Sequence, residues 1–298
     1  MTRIVSFLPA GTEIVHALGA GAELVGRSAE CDFPCAVQAL PVVSRPALDL
    51  EGRTPAEIEQ AVGARLRSGA SLYQVDERLL AALAPDVVLT QDLCQVCAPS
   101  GTELSRALGA LPSRPAVLWL SPRNLAEIEQ NILDVGEAVG RVAAARALVA
   151  ASHERIARVV AAVEGTPARR VGFLEWIEPC YCAGHWVPEM IARAGGADPL
   201  GRAGADSQRI EWEAVIAAHP ELLILAPCGF GLDGAVRLGR NLPSLPGIRA
   251  AAVDANAYFA RPGPRAAEAI ELLAHLFHPD RFAWPHGPRP WAWLDEEP

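Results

Sequence analysis

Along the chain, apolar runs of four to seven residues bounded by proline and glycine alternate with stretches whose apolar positions recur every three or four residues. The first pattern predicts buried strands and the second amphipathic helices, and their alternation is the signature of βαβ units. Strands are predicted at Arg3–Leu8, Glu23–Ser28, Asp86–Thr90, Ala116–Leu120, Arg170–Trp176, Glu221–Ala226 and Ala251–Asp254. Helices are predicted at Gly11–Leu18, Pro55–Arg67, Asp76–Leu83, Gly101–Leu108, Val187–Ala194, Glu211–Ala218 and Ala266–Leu276. The fold class is therefore α/β, with mainly parallel sheets.

One stretch departs from this rhythm. From Asn124 to Glu164 there is no proline, and Leu125, Ile128, Ile132, Val135 and Val139 keep a helical spacing. At about 1.5 Å per residue an unbroken helix here would reach roughly 60 Å, enough to cross a domain, although Gly136 and Gly140 weaken it locally. It divides the chain into an N-terminal α/β lobe at 1–122, a linking long helix at 123–165, a C-terminal α/β lobe at 166–283 and a Pro- and Trp-rich tail at 284–298. The two lobes echo each other. Gly11-Thr12-Glu13-Ile14-Val15-His16-Ala17-Leu18-Gly19 is answered by Val187-Pro188-Glu189-Met190-Ile191-Ala192-Arg193-Ala194-Gly195, and Pro85-Asp86-Val87-Val88-Leu89 by Pro220-Glu221-Leu222-Leu223-Ile224.

Composition fits this picture. Of 298 residues 51% are hydrophobic and 20% charged, a balance that buries a core. No run of eighteen apolar residues escapes charge or proline, so membrane insertion is not expected. The net charge of −9 argues against a nucleic-acid partner. Every basic side chain apart from histidine is Arg, which removes Schiff-base and P-loop lysines. There is no GxGxxG after the first strand, no Walker A motif and no Gly-x-Ser-x-Gly elbow. The chain reads as a binding protein rather than a catalyst. The apolar run after Met-Thr-Arg is too short for a signal peptide, so a cytoplasmic location is expected.

Three blocks carry a resemblance: Ser6-Phe7-Leu8-Pro9-Ala10-Gly11-Thr12-Glu13, Leu83-Ala84-Pro85-Asp86-Val87-Val88-Leu89 and Arg261-Pro262-Gly263-Pro264-Arg265. They resemble the substrate-binding proteins of ABC importers for cobalamin and iron–siderophores, over about residues 2–280. Cys31-Asp32-Phe33-Pro34 and Val42-Val43-Ser44-Arg45 are similar to the group labelled cobalamin-binding. The resemblance implies two Rossmann-like lobes joined by one long backbone helix, with a ligand held between them.

Seven cysteines supply the candidate chemistry. Cys31 follows its predicted strand by three residues, Cys94 and Cys97 theirs within seven, Cys180 and Cys182 within six, and Cys228 by two; Cys35 lies four beyond Cys31. In open α/β sheets ligands bind outside the carboxyl ends of strands. Reduced thiolates gathered there select zinc, Cu(I) or iron–sulfur clusters. Cys31, Cys94, Cys97, Cys180, Cys182 and Cys228 are thus expected metal ligands in a cysteine-lined cleft. The plain alternative is that cysteine, a small residue often buried, packs at strand ends. His185 follows Cys182-Ala183-Gly184 and is a candidate metal or axial ligand. Trp176, Trp186 and Tyr73 are candidate walls for a planar cofactor, and Arg261 for an anionic group on it. The expected cofactor is a corrinoid such as cobalamin, or alternatively an iron–sulfur cluster in a redox-active protein, with zinc third; the protein partner is left open.

Overall fold

The short apolar runs become the strands of two separate sheets. A computed structural model describes residues 2–50, 52–92, 101–109, 111, 113–243 and 247–296, without the side chains of residues 101–103 and 105. The chain divides into two units. The first is Met1–Pro122 with Ala126–Ala150, and the second is Arg123–Leu125 with Ala151–Pro298.

The first unit holds β1 (Ile4–Ser6), β2 (Leu24–Ser28), β3 (Val42–Pro46), β4 (Tyr73–Val75), β5 (Val87–Thr90) and β6 (Ala116–Trp119), in the sheet order β4-β3-β2-β1-β5-β6. Only β4, paired with β3, is antiparallel among these neighbours. Every residue of β1 and β5 is buried, as parallel strands covered on both faces require. The helices of this unit are α1 (Pro9–Ala17), α2 (Pro55–Arg67), α3 (Glu77–Leu83) and α4 (Gly101–Gly109). Val5, Phe7, Val43, Leu80, Val88, Leu104 and Ala107 form one apolar cluster of strand and helix side chains. The start of α2 is fixed by a capping box. The Thr54 hydroxyl accepts from the Glu57 N–H (3.3 Å), and Glu57 Oε2 accepts from the Thr54 N–H (2.8 Å).

The stretch expected as one long helix consists of two, α5 (Leu125–Ala138) and α6 (Val142–Val163). The reason is local. Gly140 adopts φ +67°, the left-handed conformation that ends a helix and that glycine enters without steric cost. The two helices then meet so closely that a β-carbon on Gly136 would lie 2.4 Å from Ala145 Cβ. Arg141, at the junction, pairs with the almost buried Glu23 carboxylate at 2.7 Å. The division between the two units falls within α6.

The second unit contains β7 (Arg169–Ile177), β8 (Cys180–Cys182), β9 (Gly196–Ala197), β10 (Arg209–Ile210), β11 (Leu222–Leu225), β12 (Arg249–Val253) and β13 (Trp291–Trp293). The order is β10-β8-β7-β11-β12-β13, with β9 beside the start of β7. Its centre, β7-β11-β12, is parallel; β8, β10 and β13 run antiparallel to their neighbours. Helices α7 (Val187–Arg193), α8 (Trp212–Ala217), α9 (Leu232–Gly239), α10 (Ala255–Tyr258) and α11 (Ala266–Phe277) accompany it. The Pro- and Trp-rich tail is thus part of this unit, since Trp291–Trp293 add an edge strand to β12. The Trp284 ring meets His286 at 4.6 Å and Trp291 at 5.8 Å, both edge-on. His286 Nε2 lies 2.7 Å from the Glu271 carboxylate, which Arg155 also binds.

Candidate functional site at the strand ends

In the first unit the loop after β2 carries Glu30, Cys31 and Phe33. Cys31 is fully buried, and its Sγ accepts from the Thr12 hydroxyl of α1 at 3.0 Å. Tyr73, at the start of β4, is also buried, and its hydroxyl reaches both Glu30 carboxylate oxygens at 3.0 and 3.1 Å. Cys35 and Phe33 are exposed. The loops after β5 and β6 are tied where Asp92 N–H donates to Ser121 Oγ (3.0 Å) and that hydroxyl donates to Asp92 Oδ1 (2.5 Å). Cys94 and Cys97 lie outside the described residues.

The second unit corrects the placement of two cysteines. Cys180 and Cys182 were expected on a loop past a strand end, but they form β8, which returns antiparallel along β7 with Cys180 opposite Ile177 and Cys182 opposite Leu174. Strand alternation puts both thiols on one face, and both are buried. Burial, with the Glu211 charge second, pushes the Cys180 thiol up to about 12. Burial likewise raises Cys182, and the charges of Asp198 and Glu175 add to it. Such thiols are poor sources of thiolate at neutral pH. Among the described residues no three His, Cys, Asp or Glu side chains come together as a group able to hold a metal ion. Cys228, after β11, is exposed.

The loop from β8 to α7 is built around Glu175, which sits where the β7–β8 register slips. Glu175 Oε1 accepts from the Gly184 N–H at 2.9 Å, and Oε2 accepts from the Ser207 hydroxyl. A side chain cannot fit at Gly184, where a β-carbon would lie 2.4 Å from Ser207 N. The next residue, His185, is bracketed by its N–H to Ala205 O (2.6 Å) and its carbonyl to Gly204 N–H (2.9 Å). It takes φ +51°, which is uncommon for a non-glycine residue and is sustained only when surrounding bonds over-determine it.

The His185 ring is mostly buried, with 17% of the side chain exposed, and its Nε2 lies 3.2 Å from Asp206 Oδ1. That is ion-pair distance, but the alignment is not that of a hydrogen bond, so among the described residues Nε2 is buried without one. Arg123 donates to the same Asp206 oxygen at 3.0 Å. Burial lowers the His185 pKa, and the Asp206 carboxylate only partly offsets this, so the neutral ring predominates at pH 7. Neutral imidazole is the form that ligates metals.

Trp176, near the end of β7, and Phe230, five residues past β11, have ring centroids 5.7 Å apart. Phe230, Asp233, Arg237 and Asp254 border a concavity of about 420 Å3. Trp186, by contrast, belongs to the core: it is 7% exposed and its indole N–H donates to Phe259 O at 3.0 Å. Arg261 is buried before α11. The described structure therefore gathers Trp176, His185, Phe230 and Cys228 near strand ends of this unit, and puts Tyr73, Trp186 and Arg261 in buried positions. Asp206 and Arg123 had not been anticipated. They lie in irregular segments with no periodicity to mark them, 83 residues apart.

Two α/β units with mainly parallel sheets define a two-lobed fold in which ligands bind outside strand ends. The chain belongs to the periplasmic binding protein family, whose sequence profile matches residues 4–253. Among solved structures it is similar to the periplasmic heme-binding protein RhuT from Roseiflexus sp. RS-1, with 25% identity over 93% of this chain and 98% of that one, and a TM-score of 0.68. A periplasmic heme-binding protein from Pseudomonas aeruginosa matches at 20% identity, 98% and 97% coverage and a TM-score of 0.69. The vitamin B12 binding protein BtuF of Vibrio cholerae matches at 18% identity, 92% and 96% coverage and a TM-score of 0.64. No curated protein sequence matches the chain.

Proposed function

We propose that this protein binds a metal-bearing tetrapyrrole, corrinoid or porphyrin in class, through the strand-end loops of its second unit. The observation that carries the reading is the Trp176–Phe230 pair beside the concavity of about 420 Å3. Planar ligands are held by aromatic faces and a few placed polar groups, and the rim supplies Arg237, Asp233 and Asp254. His185 is the residue whose chemistry fits the metal, because burial favours its neutral ring and its backbone is bracketed by Ala205 and Gly204. Such a group, when bound, would supply a metal centre that a neutral imidazole could ligate. The similar proteins described as binding heme and vitamin B12 support the ligand class. Two of the expected cysteine ligands, Cys94 and Cys97, lie outside the described residues, so the reading is argued from the aromatic side chains and His185.

Equilibrium titration with hydroxocobalamin and with hemin, read by quenching of tryptophan fluorescence, tests this. Saturable binding of at least one is expected, weakened about tenfold in Trp176→Ala or Phe230→Ala, which is about 1.4 kcal/mol. No saturable binding of either overturns the proposal. We also infer a cytoplasmic location, supported by the exposed thiols of Cys35 and Cys228. Recovery of the native protein in a periplasmic fraction would overturn that part.

A further inference from the structure

We propose that Asp206, held by Arg123, is the positioning residue for His185, fixing the ring so that Nδ1 meets the metal of the bound ligand. This rests on the proposed function above and adds a chain of three side chains to it. His185 has two ring nitrogens. Nε2 lies 3.2 Å from Asp206 Oδ1, and Nδ1 is the nitrogen that this proposal gives to the ligand. A metal-bound histidine almost always gives its second N–H to a carboxylate, a carbonyl or water, which fixes tautomer and ring orientation.

The arrangement is poised rather than complete. Nε2 is buried and makes no hydrogen bond to a described residue, although the carboxylate is already within reach. Functional hydrogen bonds in ligand-free proteins are often misaligned and tighten on binding. The parts that would move are limited. The His185 backbone is bracketed by Ala205 O and Gly204 N–H, so the segment carrying Asp206 is tied to the residue it serves. Arg123 anchors the carboxylate from its other side, with Nη1 3.0 Å from Asp206 Oδ1 and 3.4 Å from Gly204 O. A plain surface ion pair would explain Arg123 and Asp206, both well exposed, but not the buried imidazole nitrogen 3.2 Å from the same oxygen.

The test has one readout on the ligand-free protein and one on the loaded protein. In the first, nitrogen NMR of the His185 ring at pH 8 reports the tautomer. The expected result is an Nε2–H tautomer in the parent protein and in Asp206→Glu, and a mixture in Asp206→Ala; an Nδ1–H tautomer, or no change in Asp206→Ala, overturns the positioning role. In the second, hemin is titrated and its axial ligation read from the absorption spectrum. His185→Ala is expected to lose the imidazole-ligated spectrum, Asp206→Ala to bind 10–100-fold more weakly, and Asp206→Glu to recover part of that loss. Hemin binding with an unaltered spectrum in His185→Ala overturns the ligation step while leaving the proposed function standing. If the parent protein binds neither hemin nor hydroxocobalamin, the proposed function fails and the metal-facing half of the inference fails with it, whereas the tautomer result still decides whether Asp206 sets the ring.

Discussion

Replacing Asp198 with asparagine should stabilise the protein at neutral pH. Asp198 follows β9, and Oδ1 accepts the Leu200 N–H at 2.9 Å, but Oδ2 is buried with no hydrogen-bond partner among the described residues. A β-carbon on Gly201 would lie 2.6 Å from that Oδ2 and 2.9 Å from Ala183 O, so the unpartnered oxygen and a carbonyl crowd the same small space. Burial pushes the carboxyl group up from 3.8 to about 6, against the nearby backbone N–H groups of Leu200 and Gly201, which favour its charge. The folded chain thus holds this proton to a higher pH than the unfolded chain does. Stability attributable to Asp198 is full below about pH 4, falls as pH rises to about 6, and stays reduced above it. The whole cost is about 3 kcal/mol, an upper limit because Asp198 keeps some contact with solvent. Asparagine keeps an acceptor and adds an N–H where Oδ2 stands. Urea unfolding of both proteins at pH 5 and pH 7 measures the difference. The variant's advantage should grow by about 1 kcal/mol between these pH values. An advantage that does not change with pH, or that shrinks toward pH 7, would refute the reasoning.

Two further predictions concern the helix break and the thiols. Gly140→Ala places a β-carbon in the left-handed conformation at φ +67°, and should lower stability by about 1–2 kcal/mol in urea unfolding; a neutral effect would mean that the break between α5 and α6 does not depend on that conformation. With a thiol reagent and site-resolved mass spectrometry, Cys35 and Cys228 should label first, while Cys31, Cys180 and Cys182 should label only once the protein is unfolded. Early labelling of Cys180 would contradict its burial.

The pattern of apolar runs revealed the α/β class, and the strands predicted from it lie within a few residues of those observed, because long buried runs leave little choice of element. The helix at Pro55–Arg67 is found with the same bounds, since Thr54, Pro55 and Glu57 mark its start chemically. Most of what was missed is short or edge-placed, although Val42–Pro46, five residues long and inside the first sheet, was missed as well. The strand Cys180–Cys182 has only three residues, and the turn before it leaves no apolar period to read. The tail strand Trp291–Trp293 is legible only through its pairing with β12, far away in sequence. The site divides the same way. His185 and Trp176 stood out as chemistry-bearing residues in one segment. Trp186 looked equivalent, yet it sits on the side that packs under Phe259. Asp206 and Arg123 could not be inferred, because what joins them to His185 is tertiary contact.

The most direct test of the central claim is the absorption spectrum of the purified protein mixed with one equivalent of hemin or hydroxocobalamin and then separated from free ligand. The account predicts that at least one pigment stays with the protein, with a spectrum shifted from that of the free compound, and that the Trp176→Ala, Phe230→Ala double variant releases it. A protein that elutes colourless from both mixtures, or a double variant that retains the pigment as well as the parent, would contradict it.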